Sequence, residues 1–311
     1  MASKKDFDLI IIGGGPAGLT AGIYATRARL KTLLIGKLVP GGQAASTEWV
    51  ENYPGFPEGI KGPELIEKMK KQADRFGLET LIEEVVSVEL QGETKVIKTN
   101  NDQLSCKALI IATGTEPKKL NIPGEDKFKG RGVSYCATCD GPFFRDKDVA
   151  IIGCGNSGLQ EGIFLLKFVK SISFVEFLPR MTAEKILQER IQKEKNTKFF
   201  LNHMATSING ENKIESITVK NRETGKEENI PFQGIFIYVG LIPNTKFLEG
   251  KLELDKYGFV VTNENTETNI PGVYAAGDVR HKILQQITTA TSDGSIAAFM
   301  AERYVEKIKE N

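Results

Sequence analysis

The chain has 311 residues, of which 40% are hydrophobic and 26% are charged. Its 41 Lys and Arg are balanced by 40 Asp and Glu, so it lacks the basic excess that is typical of nucleic-acid-binding proteins. No apolar run approaches the roughly 18 residues of a membrane-spanning helix. The polar start, residues 1–8, lacks the apolar stretch of a secretory signal. Four cysteines are too few for a secreted disulfide scaffold, so we expect a cytoplasmic protein.

The predicted elements alternate between strand and helix, as in α/β folds. In chain order we predict a strand at 9–12, a helix ending near 26, a strand at 31–35, a helix at 63–76, paired strands at 85–90 and 95–99, a buried strand at 108–112, a strand at 148–152, a strand near 273–276 and a last helix from about Asp293 to Lys309. Cys106 is expected just before the buried strand.

One segment occurs twice. The residues from Asp8 to Leu19 read as an apolar strand, a G-x-G-x-x-G turn and a helix, and the same pattern returns 140 residues later, from Asp148 to Leu159. In such turns the glycines allow a tight bend, close approach of a pyrophosphate and close packing of helix on strand. A single match would be weak, since glycine-rich turns are common. Two matches at strand-to-helix junctions predict two dinucleotide sites, with purely structural turns as the alternative.

Proline-containing stretches at 115–123 and 240–244 indicate the domain boundaries. We expect one domain of residues 1–116 and 246–311, with a second domain, residues 117–245, inserted in it. The predicted fold class is α/β, with two Rossmann-like nucleotide-binding domains of three layers (ββα).

A C-x-x-C pair, Cys136 and Cys139, precedes the second strand of the repeat. This spacing allows a readily exchanged disulfide, whose chemistry is thiolate attack followed by internal resolution. Zinc is the alternative, but it normally needs four ligands. The other candidate ligands are scattered, so we expect no metal site; they are Cys106, Cys154, His203 and His281. Asp140 follows the pair and either moves the proton that thiol exchange requires or serves as a helix cap.

These motifs together resemble the low-molecular-weight thioredoxin reductase family. The resemblance spans essentially the whole chain and is carried, in order, by Gly13-Gly-Gly-Pro-Ala-Gly18, Gly41-Gly-Gln43, Glu51-Asn-Tyr-Pro-Gly-Phe56, Ala112-Thr-Gly114, Cys136-Ala-Thr-Cys-Asp140 and Gly277-Asp-Val279. It implies a homodimeric FAD enzyme that reduces thioredoxin or a thioredoxin-like protein. It also implies that Cys139 lies nearer the flavin, that Cys136 attacks the partner and that the inserted domain rotates between the two tasks.

The resemblance also implies the FAD site, with Asp278 near the ribityl-phosphate region. Its residues would be Gly13, Gly15, Pro16, Ala17, Gly18, Gly42, Gln43, Asn52, Ala112, Thr113, Gly114, Gly277, Asp278, Gln285, Gln286 and Ile287. At the last three positions the family more often has Arg-Gln-Ala.

The chain departs from the family at the site that selects NADPH. The family reads the 2′-phosphate with H-R-R-x-x-x-R, but here the arginine positions hold Phe177, Leu178 and Thr182, and Arg180 alone is basic. Glu176 stands at the histidine position, 23 residues after Gly153. An acid at this distance binds the ribose hydroxyls of NADH and repels a 2′-phosphate.

Two interpretations of the electron donor follow. In the first the chain uses NADH, bound by Gly153, Gly155, Asn156, Ser157, Gly158 and Glu176. In the second the nucleotide site is vestigial and reduced ferredoxin is the donor, as in some relatives. We favour NADH, because the glycines of the second turn are intact, and we do not exclude NADPH. A non-catalytic flavin redox sensor is a further alternative, against which the complete C-A-T-C-D motif argues.

Overall fold

The computed structural model describes residues 5–310 of the chain; residues 1–4 of the polar start and Asn311 lie outside this range. The strands within it are β1 (Lys5–Ile12), β2 (Thr32–Gly36), β3 (Glu79–Ile82), β4 (Val85–Glu89), β5 (Lys95–Thr99), β6 (Gln103–Ile111), β7 (Thr115–Pro117), β8 (Val133–Ser134), β9 (Asp148–Ile152), β10 (Ser171–Glu176), β11 (Thr197–Leu201), β12 (His203–Asn209), β13 (Ser216–Asn221), β14 (Glu227–Pro231), β15 (Gly234–Ile237), β16 (Leu241–Pro243) and β17 (Val273–Ala275). The α-helices are α1 (Pro16–Arg27), α2 (Gly62–Arg75), α3 (Glu125–Phe128), α4 (Ala137–Asp140), α5 (Asn156–Leu165), α6 (Lys185–Gln192) and α7 (Ile287–Glu310).

The chain divides into two compact units. Unit 1 comprises Met1–Glu116 and Ile242–Asn311, and unit 2 comprises Pro117–Leu241.

Unit 1 is built on a sheet with the strand order β3-β2-β1-β6-β5-β4, in which β17 also pairs with β6. Strands β3, β2, β1, β6 and β17 are parallel, whereas β5 and β4 are antiparallel additions. Side chains of a strand alternate between its two faces. Leu9 and Ile11 accordingly belong to a core shared with α1, α2 and α7. Ile10 and Ile12 belong to a second core shared with β4 and β5.

Unit 2 repeats this plan. Its five parallel strands have the order β11-β10-β9-β15-β8, and a separate antiparallel sheet has the order β12-β13-β14. Val149 and Ile151 of β9 pack with residues of α5 and α6 on one face. Ala150 and Ile152 pack with residues of β12 and β13 on the other face. Each unit thus has a helical layer, a parallel sheet and antiparallel strands, and the predicted three-layer α/β class is confirmed.

Two predicted boundaries are wrong. The last helix begins at Ile287 rather than near Asp293, because the threonines of its first turns satisfy backbone carbonyls instead of breaking the helix. Thr289 Oγ1 donates to the carbonyl of Gln286 at 3.0 Å, and Thr291 Oγ1 donates to that of Thr288 at 2.9 Å.

Strand β6 likewise begins at Gln103, five residues before the predicted start. Cys106 therefore lies inside the strand, opposite Phe7 of β1 and Lys95 of β5. The first residues of β6 include polar side chains, because that part of the strand pairs with polar residues of β1. The continuous apolar pattern used for the prediction therefore began only at Ala108.

Candidate active site

The first glycine turn joins β1 to α1. Gly13 has φ +115°, and a Cβ atom there would lie 2.1 Å from the carbonyl oxygen of Ala112. A Cβ on Gly18 would lie 1.8 Å from the carbonyl oxygen of Gly13, so α1 packs directly on the turn. Gly15, the N-cap residue, would place a Cβ with no atom within 4 Å. The first-turn amides of α1 therefore border open space, which suits a phosphate group.

The second glycine turn joins β9 to α5 and has the same geometry. Gly153 has φ +107°, and a Cβ there would lie 2.1 Å from the carbonyl oxygen of Tyr238. A Cβ on Gly158 would lie 2.1 Å from the carbonyl oxygen of Gly153. At Gly155 the nearest atom to a Cβ is Thr182 Oγ1 at 3.7 Å. The sequence repeat is thus a structural repeat, with a second open space at the start of a helix.

Further segments of unit 1 meet the first turn at the carboxyl ends of the parallel strands. A Cβ on Gly42 would lie 3.5 Å from Gly15 Cα, and a Cβ on Gly277 would lie 2.9 Å from Ala17 Cβ. The structure therefore brings one set of predicted residues together: Gly13, Gly15, Pro16, Ala17, Gly18, Gly42, Ala112, Thr113, Gly114, Gly277 and Asp278.

Amide side chains of unit 1 hold the remaining predicted residues in fixed positions. Asn52 Nδ2 donates to Gln286 Oε1 at 2.9 Å, across 234 residues of sequence. Gln285 Nε2 donates to the carbonyl of Asp278 at 3.4 Å. Gln43 Nε2 donates to Thr115 Oγ1 at 2.7 Å. The loop before Ile287, the first residue of α7, is thereby tied to Asp278 and to Asn52.

Asp278 carries an unsatisfied buried oxygen. Within residues 5–310, Asp278 Oδ1 accepts no hydrogen bond, and Lys282 Nζ lies 3.5 Å away. Burial raises the pKa of Asp278; Lys282 opposes this shift and Asp293 adds to it. A buried acceptor of this kind is costly unless it is paired, so a bound hydroxyl or amide would stabilise it.

A charged cluster that the sequence analysis missed surrounds Asp278. Asp293 Oδ1 accepts from Arg280 Nη1 at 2.8 Å, and Asp293 Oδ2 accepts from Lys282 Nζ at 3.1 Å. The same Oδ2 accepts from the amide of Gly277 at 3.0 Å, which fixes the turn before Asp278. One feature of the sequence could have indicated this cluster: Asp293 is a carboxylate among the small residues of the last helix.

Cys136 and Cys139 form a disulfide at the start of α4 in unit 2, with their Cα atoms 5.3 Å apart. The amide of Cys139 donates to Cys136 Sγ at 3.2 Å, and Thr138 Oγ1 lies 3.3 Å from the same sulfur. Asp140 ends α4, and its amide donates to the carbonyl of Cys136 at 3.1 Å. The predicted catalytic residues therefore share one turn.

Tyr238 supports this turn, although the sequence offered no signal for it. Its phenol oxygen accepts from the amide of Ala137 at 2.9 Å. Burial, with added repulsion from Glu161 and Asp140, raises the pKa of Tyr238. The phenol is therefore neutral at neutral pH, and its oxygen accepts the hydrogen bond from the buried amide of Ala137.

Glu176 is buried at the end of β10, beside the second glycine turn. Its Oε2 accepts from the amide of Cys154 at 2.7 Å, and its Oε1 accepts from the amide of Leu178 at 2.9 Å. Phe177 is half-exposed, and the guanidinium of Arg222 stacks 3.5 Å from its ring centroid. The structure thus fixes the carboxylate beside the second glycine turn through two backbone amides.

The other two cysteines lie outside the disulfide turn, in the cores of the two units. Cys106 and Cys154 are buried, and burial raises the pKa of each thiol to about 12. Among the described residues, no three His, Cys, Asp or Glu side chains are grouped to hold a metal ion. No helix within residues 5–310 is long and apolar enough to span a membrane.

Known proteins are similar to this chain over nearly its whole length. Residues 7–294 match the family described as "Pyridine nucleotide-disulphide oxidoreductase". The fold and the disulfide therefore define a pyridine nucleotide-disulphide oxidoreductase. A thioredoxin reductase of Bacillus subtilis is 43% identical over 311 residues, covering 100% of this chain and 98% of the relative.

Two similar solved structures are thioredoxin reductases, which form one family within this class. The thioredoxin reductase of Lactococcus lactis has a TM-score of 0.95 at 43% identity, covering 97% of this chain and 99% of the other. That of T. acidophilum has a TM-score of 0.92 at 38% identity, covering 98% of this chain and 100% of the other. The chain belongs to the thioredoxin reductase family, as its motifs predicted, and it is a flavoprotein-type disulfide oxidoreductase with a redox-active disulfide at Cys136 and Cys139.

Proposed function

We propose that this thioredoxin reductase binds FAD in unit 1, accepts electrons from NADH bound in unit 2, and passes them through Cys136 and Cys139 to thioredoxin or a similar small protein. The resemblance to the family adds a homodimer to this proposal. The observation that carries the choice of donor is the carboxylate of Glu176 beside the second glycine turn. It stands at the position of the family's histidine, next to positions where the family's arginines are lost.

The residues of unit 1 fit FAD. The open space at Gly15 borders the first-turn amides of α1, which suits a pyrophosphate. Asp278 Oδ1 offers an unsatisfied acceptor for a ribityl hydroxyl or a nearby donor. Asn52 and Gln286, held together at 2.9 Å, offer amide groups for an isoalloxazine edge. Bound FAD would supply a two-electron carrier between a nicotinamide and a disulfide.

The disulfide turn supplies the thiol chemistry. Two electrons break the bond between Cys136 Sγ and Cys139 Sγ and leave one thiolate and, after uptake of a proton, one thiol. Asp140, next to Cys139 in the same turn, is the group that we assign to this proton. The thiolate of Cys136 attacks one sulfur of the partner disulfide, and the other partner sulfur leaves as a thiolate. Cys139 then gives up its thiol proton and attacks Cys136 Sγ, which expels the second partner sulfur. The two partner thiolates take up that proton and one from solvent. This restores the enzyme disulfide and releases the partner as a dithiol.

Glu176 supports NADH as the donor. Each carboxylate oxygen has two acceptor positions, so Glu176 can hold the amides of Cys154 and Leu178 and still accept from ribose hydroxyls. A 2′-phosphate at the same place would bring negative charge against a buried carboxylate. Phe177 and Leu178 carry no charge, and the guanidinium of Arg222 stacks on Phe177 and already donates to its carbonyl at 2.9 Å.

Glu176→Gln tests this assignment. The variant removes the negative charge but keeps an oxygen for one of the two amides. We expect wild type to prefer NADH, and the ratio of kcat/KM for NADH over NADPH to fall by about tenfold in the variant. Glu228→Gln, on an exposed strand of unit 2, is the matched control and should leave the ratio unchanged. A wild-type preference for NADPH, or no turnover with either nucleotide, would refute NADH as the donor.

A further inference from the structure

The two sulfurs of the disulfide have unequal surroundings. Cys136 Sγ lies 3.2 Å from the amide nitrogen of Cys139 and 3.3 Å from Thr138 Oγ1. A disulfide sulfur has no hydrogen, so in each contact the sulfur can only be the acceptor. In the part of the chain that the structure describes, Cys139 Sγ accepts no corresponding hydrogen bond. The environment therefore favours negative charge on Cys136 over Cys139.

Contacts that do not involve the disulfide fix the backbone of this turn. Tyr238 accepts from the amide of Ala137 at 2.9 Å, and Ala137 is fully buried. Ser134 Oγ accepts from the amide of Cys136 at 3.0 Å and lies 3.1 Å from its carbonyl oxygen. The amide of Cys139 and the hydroxyl of Thr138 should therefore stay beside Cys136 Sγ after the sulfur–sulfur bond has broken.

We propose that Thr138 is a catalytic residue whose hydroxyl donates to the sulfur of Cys136 and stabilises it as a thiolate. The electron pair that breaks the disulfide then leaves its negative charge on Cys136, while Cys139 carries the thiol proton. In the next step the Cys136 thiolate forms a bond to one sulfur of the partner disulfide, and the other partner sulfur departs as a thiolate. Thr138 thus makes Cys136 a better leaving group in the first step and raises its thiolate fraction for the second.

Thr138→Val is the direct test, because valine keeps the branched shape and removes the hydroxyl. Thr138→Ser is the matched control, because serine keeps the hydroxyl and loses only a methyl group. Both changes are made in the holoenzyme with Cys139→Ser, so that Cys136 is the one thiol of the centre. Cys106 and Cys154 are buried with pKa values near 12 and should stay unreactive in the folded chain.

The measurement is the rate of Cys136 alkylation by iodoacetamide between pH 5 and 10, with peptide mapping of the modified residue. We expect Thr138→Val to lower the rate at pH 7 by about tenfold and to move the midpoint of the pH profile upward by about one unit. Thr138→Ser should retain the original profile within about twofold. Equal profiles for the valine and serine variants would overturn the proposal.

Flavin absorbance and thermal unfolding show whether each variant is folded. If Thr138→Val does not fold, Thr138→Ala removes the same hydroxyl and is judged by the same profile. A variant that lowers the alkylation rate equally at all pH values, with no shift of the midpoint, would indicate altered access to Cys136 and would also contradict a role for the hydroxyl in stabilising the thiolate.

Discussion

Asp278 is a partly buried carboxylate beside Lys282, and its charge has opposite expected effects on stability and on ligand binding. Burial raises its pKa, so the charged form costs the folded chain free energy at neutral pH. A group with a raised folded pKa gains stability as the pH falls and loses it as the pH rises. An uncharged side chain would avoid this cost, whereas a bound ligand that donates to Asp278 Oδ1 would offset it.

Asp278→Asn should therefore separate stability from binding. We expect the apoprotein variant to unfold at the same or a higher temperature than wild type at pH 7, because Lys282 keeps Asp293 as a partner. We expect FAD affinity to fall by about tenfold or more, since a hydrogen bond to a charged group is lost. The measurements are apoprotein thermal unfolding and flavin content after dialysis. Unchanged flavin affinity would contradict the assigned role.

The roles of the two cysteines can be tested by trapping. Cys139→Ser leaves Cys136 able to attack thioredoxin but removes the residue that resolves the mixed disulfide. We expect this reduced variant to accumulate a covalent complex with thioredoxin, visible on a non-reducing gel, and Cys136→Ser to accumulate little. A complex with Cys136→Ser alone would reverse the two roles.

At the residue scale the sequence predicted the groups that lie within one motif. Cys136, Cys139 and Asp140 lie at most four positions apart, and the glycines of each turn follow a fixed spacing. Tyr238 and Asp293 could not be predicted in the same way. Tyr238 contacts Ala137 across 101 residues of sequence and Asp293 contacts Gly277 across 16, and neither contact follows from a local pattern.

At the element scale, the second glycine turn offers a matched pair of substitutions. Gly158→Ala would place a Cβ 2.1 Å from the carbonyl of Gly153, so we expect a loss of about 1–3 kcal/mol in the free energy of unfolding. Gly155 has φ −80° and faces open space, so Gly155→Ala should change stability by less than about 0.5 kcal/mol.

Gly155→Ala should have little effect on stability but a clear effect on nucleotide binding. The added methyl group of Gly155→Ala would occupy the open space where a pyrophosphate would meet the first-turn amides of α5. We therefore expect NADH affinity to fall in this stable variant. Urea unfolding and an NADH titration check the two expectations separately. Equal stability losses in the two variants would contradict the packing described for Gly158.

Element boundaries were harder to predict than element types. The start of α7 lies six residues before the predicted one, because Thr289 and Thr291 each bond to the carbonyl three residues earlier in the chain. Such bonds depend on the side-chain rotamer and cannot be inferred from residue preference, which counts threonine as a weak helix former.

At the scale of the whole molecule, the sequence repeat predicted two three-layer nucleotide-binding folds. The repeat predicts one parallel strand and one helix in each unit, because the strand and the helix must pack closely around a glycine turn. It contains no information on the β12-β13-β14 sheet of unit 2, whose pairing is set by contacts that lie outside the repeated segment.

Asp8 ties the two ends of unit 1 together. Burial would raise its pKa, but the amide of Lys31 and the ammonium groups of Lys309 and Lys107 lower it overall. Asp8 Oδ1 lies 3.1 Å from Lys309 Nζ and 3.2 Å from Lys107 Nζ. The lowered pKa means that the stabilisation is present above the ordinary carboxyl range and is lost as the pH falls.

Asp8→Asn should cost about 1 kcal/mol at pH 7, and the difference from wild type should shrink as the pH falls below about 4. Asp126→Asn removes an exposed pair with Lys119 and should cost almost nothing. Urea unfolding at pH 7 and pH 3.5 measures both. If the free energy of unfolding of Asp8→Asn differs from that of wild type by the same amount at both pH values, the ion pairs of Asp8 do not contribute to stability.

The route of the electrons can be measured by anaerobic titration of the flavin-loaded enzyme in the presence of oxidised thioredoxin. NADH, NADPH and reduced ferredoxin are added in parallel experiments. Flavin absorbance and the appearance of thioredoxin thiols are followed together. We predict that NADH reduces the flavin and yields one thioredoxin dithiol for each NADH consumed, that NADPH does so far more slowly, and that Cys136→Ser abolishes thiol formation. Reduction by ferredoxin alone, or thiol formation without Cys136, would contradict the proposed route of the electrons.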